Sequence, residues 1–258
     1  MKARIERRSQ GCFIRAPAQV AWRDVVAGGR MDVLTRSYAY NARPVCAGAT
    51  LEVWAALPPL AEVETRRRKW LVAEVERAAR ALDEPSHGGE ASAPGPPHAH
   101  TGEANDAAAG AALDAIRWLT EGKGWRASVA ADGALEIASG GLAEPAFTAR
   151  AEGRGARVEL PVRFLAPSGA PACLRRAALH AVLLLNARSV FARLRVVGMD
   201  PLVLRVEHQL PAEHLLEDEI EHALEGMRYA AREAAQTFEA LRHPAVSKEY
   251  VEAHEIAL

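Results

Sequence analysis

Apolar positions recur along this chain with two periods. From Leu202 to His208 every second residue is apolar, so Leu202, Leu204 and Val206 share one face of a strand. Beyond Leu210-Pro211 the apolar residues fall at Leu216, Ile220, Leu224, Met227, Ala231, Ala234, Phe238 and Leu241. Steps of three and four put them on one stripe of a helix of roughly eight turns. Pro211 fits its first turn, and Glu213, Glu217, Asp218 and Glu219 lie near its positive end. Arg242 and His243 lie near its negative end, and Pro244 stops it.

The same order occurs earlier, with Leu51 and Val53 on a strand, Leu57-Pro58, and then a helical stripe of Leu71, Val75, Ala78 and Leu82. An offset of 153 residues relates Leu51 to Leu204, Val53 to Val206 and Leu57-Pro58 to Leu210-Pro211. It also pairs Ala3-Arg4-Ile5-Glu6 with Ala156-Arg157-Val158-Glu159, and Ser37-Tyr38-Ala39 with Val190-Phe191-Ala192. One gapless offset from Ala3 to Pro58 favours an internal duplication. Material before Ala156 has no counterpart ahead of Ala3, so the first copy is expected to be a truncated unit.

The remaining pattern predicts a strand over 2–17, a helix over 18–34 weakened by Gly28-Gly29, and strands at Tyr38–Tyr40 and Thr50–Leu57. A helix follows to Leu82. From Glu84 to Asn105 the chain is rich in Pro, Gly, Ser and Ala with hardly a large apolar residue, which predicts a flexible linker. The next helix, from near Asp106, carries Ala112, Leu113, Ile116, Trp118 and Leu119 on its apolar side. Asp132-Gly133 marks a hairpin. In Ala156–Leu165, Val158, Leu160, Val162 and Phe164 face one way; Arg157, Glu159 and Arg163 face the other, predicting one solvated sheet face. Pro171–Asn186 is a helix apolar over most of its surface, followed by a hairpin turning at Gly198–Pro201. The expected architecture is α+β, an antiparallel sheet with helices packed on one face. Its parts are a truncated unit at 1–83, a linker at 84–106, a complete unit at 107–243 and a tail at 244–258.

Composition narrows the function classes. The 258 residues carry a net charge of -1, which gives no bulk attraction to nucleic acid or anionic membrane. Cys12, Cys46 and Cys173 are too scattered for a disulfide framework or a metal knuckle. No apolar run approaches the ~20 residues of a membrane span, and no secretory signal follows the charged start, so a cytoplasmic location is expected.

Particular residues carry a family resemblance. Phe147 and Ala149 precede the Ala156–Phe164 strand, Leu185-Asn186 close the middle helix, and Phe191 opens the next strand. Leu204, Val206, Leu210-Pro211 and the Leu224/Met227 stripe complete the order. The chain resembles the YbjN-type family of bacterial proteins, labelled sensory-transduction regulators, whose fold is similar to type III secretion chaperones. The resemblance spans 107–243 and part of 1–83. It implies a non-catalytic protein-binding or chaperone-like regulatory module, often dimeric, acting through sheet and helix surfaces, with a protein partner or a second copy. It supplies no catalytic, cofactor or metal residues.

Candidate chemistry is sparse. His87, His98 and His100 lie in the linker, where nothing presets a metal geometry. Glu219-Ile220-Glu221-His222, with His214, Glu217 and Asp218 nearby, has the Glu-x-x-His spacing of di-iron helices but no second such pair. A metal-dependent enzyme at this helix is the alternative reading, against a solvated acidic face. His180 lies inside an apolar helix, where a histidine is ordinarily a core residue. Arg66-Arg67-Arg68-Lys69-Trp70 is the nucleic-acid alternative, set against Glu74 and Glu76 at helical spacing. No catalytic residue, metal ligand or cofactor site is assigned.

Overall fold

A computed structural model describes residues 2–8, 11–36, 38, 41–57, 65–84, 102–138, 146–152, 155–189, 192–211 and 217–256. The first half forms strands β1 (Arg4–Arg8) and β2 (Gly11–Ala21), helices α1 (Trp22–Val26) and α2 (Asp32–Thr35), strands β3 (Arg43–Ala47) and β4 (Thr50–Leu57), and helix α3 (Thr65–Asp83). The second half opens with helix α4 (Gly102–Gly122) and strands β5 (Arg126–Val129), β6 (Leu135–Ala138), β7 (Phe147–Glu152) and β8 (Gly155–Ala166). Helix α5 (Ala172–Arg188), strands β9 (Arg193–Met199) and β10 (Leu202–Pro211), and helices α6 (Glu217–Leu241) and α7 (Pro244–Ala253) complete it. The fold is α+β, with two antiparallel sheets rather than one, ordered β1-β2-β4-β3 and β5-β6-β7-β8-β10-β9.

Alternation decides which face each sheet buries. Ile14, Ala16 and Ala18 of β2 and Leu51, Val53 and Ala55 of β4 point under α3, which contributes Leu71, Val75, Ala79 and Leu82. In the second sheet Val158, Leu160, Leu204 and Val206 meet Ile220, Leu224, Met227 and Phe238 of α6. Helix α4 covers β7 and β8 with Ala109, Ala112, Ile116 and Leu119. The two layers share one apolar core, so the first half packs on the second.

The order β1-β2-β4-β3 has the connectivity of β7-β8-β10-β9. Leu57 faces Cys12 and Leu210 faces Ala156, so β4 and β10 lie 153 residues apart while β2 and β8 lie 144 apart. Pro17 and Pro161 occupy matching places, and each ladder shifts register near the end where its partner strand begins. The match of Ala3–Glu6 with Ala156–Glu159 is therefore out of register. Arg4 faces Arg15 where Thr148 faces Glu159, which makes β7 the strand that corresponds to β1. The difference arises in the connection, because the 17-residue α5 stands where the first half has two short helices.

Other expectations need correction. The helix expected over 18–34 is broken, because β2 continues to Ala21 and Gly28 takes φ 91° between α1 and α2. A strand was expected at Tyr38–Tyr40, of which only Tyr38 lies within the described residues and it is not in a strand; the strand there is β3, which carries Pro44 on a sheet edge. Pro211 ends β10 opposite Gly155, where a Cβ would collide with the Leu210 carbonyl, and α6 is described from Glu217. Helix α4 starts at Gly102, inside the span read as linker; residues 85–101 lie outside the described residues. Trp118 is not on the core stripe of α4 but 71% exposed. Within the span read as a tail, Pro244–Ala253 forms α7, and Ser247, Val251 and the following Ile256 are buried; residues 257–258 lie outside the described residues. No helix among the described residues is long and apolar enough to cross a membrane.

Candidate functional site

The side chains with the most unusual surroundings lie where the halves meet. Strand β3 pairs Arg43 with Trp54 of β4, and β9 pairs Arg193 with Glu207 of β10. Trp54 and Glu207 are themselves 153 residues apart, so the two arginines occupy corresponding positions. Both are buried, and each reaches into the other half.

Arg43 donates from Nε to the Asn186 carbonyl at 2.7 Å and from a terminal nitrogen to the Ser189 carbonyl. These carbonyls belong to the C-terminal end of α5, where unpaired acceptors and the helix dipole favour a cation. Its guanidinium lies 5.8 Å from the Phe13 ring centre. Burial, and then Arg193, push its pKa down to about 10, which leaves it charged at neutral pH. Arg193 donates to the Ala42 carbonyl at 3.4 Å, pairs with Glu207 at 2.9 Å and lies 5.1 Å from the Tyr38 ring centre. Burial lowers its pKa too, opposed by Glu207. Asn41, at φ 59°, completes the seam: its amide oxygen accepts from Gln209 N at 2.7 Å and its amide nitrogen donates to the Gln209 carbonyl at 3.3 Å. Asn tolerates this left-handed backbone better than most residues.

Around this seam the outer face of the second sheet is a charge network. Glu159, 4% exposed, meets Arg205 at 2.5 Å and Arg157 and Arg195 at 3.5 Å; Glu207, 5% exposed, meets Arg193 and Arg195. The face expected to be solvated is thus partly covered, because α2, Tyr38 and Ala42 lie against it. A small polar cleft opens between Tyr38, Asn41, Arg157, Arg193 and Glu207. Its carboxylates are tied to guanidinium groups of the same sheet. What crosses to the first half is hydrogen bonding, from Arg193 and Arg195 to the Ala42 and Thr35 carbonyls and between Asn41 and Gln209.

A second cluster docks α7. His180 of α5 contacts Trp22 of α1, with ring centres 4.7 Å apart, and its Nδ1 lies 3.0 Å from the Tyr250 hydroxyl. His254 stands 5.0 Å away, ring to ring. Burial, and then His254, push the His180 pKa down to about 4, so the ring is neutral at pH 7. Because this lies below the ordinary value of 6.5, the unfolded chain takes up the proton first. The resulting stability is present above pH 6.5, falls between 6.5 and about 4, and is constant below that. Urea unfolding at pH 7.0 and 4.5 is expected to show a His180-dependent loss of about 2–3 kcal/mol, absent in His180→Phe.

The residues singled out from sequence do not converge. Glu217, Asp218 and Glu219 are exposed in the first turn of α6, Glu221 pairs with Lys123, and His222 Nδ1 lies 2.6 Å from the Asp218 carbonyl. His214 and the linker histidines lie outside the described residues. Among the described residues no three His, Cys, Asp or Glu side chains are grouped to hold a metal. Arg68 and Lys69 are exposed and Trp70 packs half-buried on the core; the side chains of Arg66 and Arg67 lie outside the described residues. All three cysteines are free and half-buried, and burial raises the Cys46 thiol to about 12. Missed by the sequence reading were Arg43, Arg193, Asn41 and Glu207. The one available signal was the repeated Ala-Arg of Ala42-Arg43 and Ala192-Arg193. No protein-family model, no curated protein and no solved structure matches the chain.

Proposed function

We propose that the chain is a non-catalytic protein-binding or chaperone-like regulatory module, made of two copies of one unit paired within a single polypeptide. The first copy has β1 to α3; the second adds α4, β5 and β6 ahead of the shared elements. The observation that carries this reading is reciprocal. The edge strand β3 packs on α5 of the other half, the edge strand β9 packs on α2 of the other half, and corresponding arginines cross the seam in both directions. Such reciprocity is how two-fold subunit interfaces are built. The resemblance to YbjN-type proteins and to type III secretion chaperones, whose units often dimerise, supports the same conclusion. With the pairing surface used internally, the remaining sheet edges and helix faces are left to engage a protein partner.

Mass measurement in solution tests the pairing. A single chain of 27.8 kDa is expected across micromolar concentrations, and a stable dimer of twice that mass would mean that the pairing surface serves a second copy. Capture from native lysate on immobilised full-length chain tests the binding role. A stoichiometric protein partner is expected; recovery of none would count against it.

A further inference from the structure

Strand β1 is the outer edge of the first sheet, and among the described residues its one strand neighbour is β2. Its counterpart β7 is flanked on both sides. There β6 pairs Leu135 with Ala149, Glu136 with Thr148 and Ile137 with Phe147, while α4 covers the apolar face. As a result Ala149 is fully buried, whereas Ile5, in the matching position, is 37% exposed. Every unpaired edge offers backbone donors and acceptors to an added strand.

Charge decides what can add. Lys2, Arg4 and Arg7 are exposed, and Glu6 is tied to Arg15. Pairing β1 with β1 of a second copy would set two strands side by side, each carrying Lys2, Arg4, Arg7 and Arg8 against the single acid Glu6. Pairing it with β5 would bring these cations against Arg126, and like charges facing across strands are destabilising. The apolar–acidic–apolar run Leu135-Glu136-Ile137, which fills the matching place beside β7, has the complementary pattern. We propose that the β1 edge docks an acidic extended segment of another protein. It adds as an antiparallel strand, with a carboxylate opposite Arg4 and an apolar side chain opposite Ile5, while Arg7 on the Ile5 face adds to the positive charge of the edge. This rests on the protein-binding reading above and assigns that reading a surface and a partner chemistry.

The test uses the full chain and a fluorescent synthetic peptide of alternating Glu and Leu, with a control in which Lys replaces every Glu. The acidic peptide is expected to bind with an affinity that falls as salt is raised, and to slow amide exchange within Lys2–Arg8. Arg4→Glu/Arg7→Glu is expected to weaken it at least tenfold and to strengthen the Lys peptide, with thermal unfolding unchanged. Equal binding of both peptides, protection confined to other elements, no binding, or no loss in the double variant would each overturn the proposal. No binding would leave the cationic edge as a guard against self-association alone. Lysate capture separates the two readings. A partner held equally by wild type and the double variant removes β1 as its site and leaves the binding role standing.

Discussion

Arg43→Ala is expected to destabilise the chain by about 3–5 kcal/mol, measured by urea unfolding. The guanidinium is fully buried, and its donors go to carbonyls at the end of α5. Truncation leaves the Asn186 and Ser189 carbonyls without this donor, opens a cavity beside Phe13 and removes a cation from the negative end of a 17-residue helix. Arg43→Lys keeps the charge but cannot span both carbonyls, and a loss of about half as much is expected. An effect of Arg43→Ala under about 1 kcal/mol, the size of an ordinary exposed substitution, would show that the seam does not hold the halves.

Glu207→Gln is expected to cost a similar amount, about 3–5 kcal/mol, for a different reason. Glu207 is the acid that Arg193 and Arg195 share, and Arg193 is 2% exposed. Neutralising the carboxylate leaves a guanidinium charge buried without its counterion. Removing the charge as well, in Arg193→Leu/Glu207→Leu, is expected to restore more than half of the loss, since an apolar pair of similar volume avoids the desolvation penalty. If the double variant is instead less stable than Glu207→Gln, the pair contributes more than its desolvation cost and the buried charge is not the source of the loss.

Much of the fold was legible in local pattern. The alternation in Leu202–His208, the three-and-four stripe from Ile220 to Leu241 and the Asp132-Gly133 turn all form the elements they predict. The turn does so because Gly133 supplies φ 80° and Asp132 accepts from Ala134 N at 3.1 Å. Less legible were features set by contacts distant in sequence. Arg193, Arg195 and Glu207 alternate with apolar residues just as a solvated strand face does, and only the arrival of α2 and Tyr38 buries Arg193 and Glu207 and half-buries Arg195. Strand β3 was hidden by Pro44, which an edge strand tolerates. The register of β1 was misread because similarity along one diagonal assumes equal connections, and α5 makes the second connection longer. For the candidate site the sequence showed abundant Glu and Arg but not which of them meet.

The most direct test of the paired-halves reading is to place a protease site within residues 85–101, cut the purified chain there, and weigh the product under native conditions. Halves held by β3 on α5 and β9 on α2 are expected to stay together as one species of the uncut mass, and to separate once Arg43→Ala is added. Separation of the uncombined wild-type halves on cutting alone would contradict the pairing.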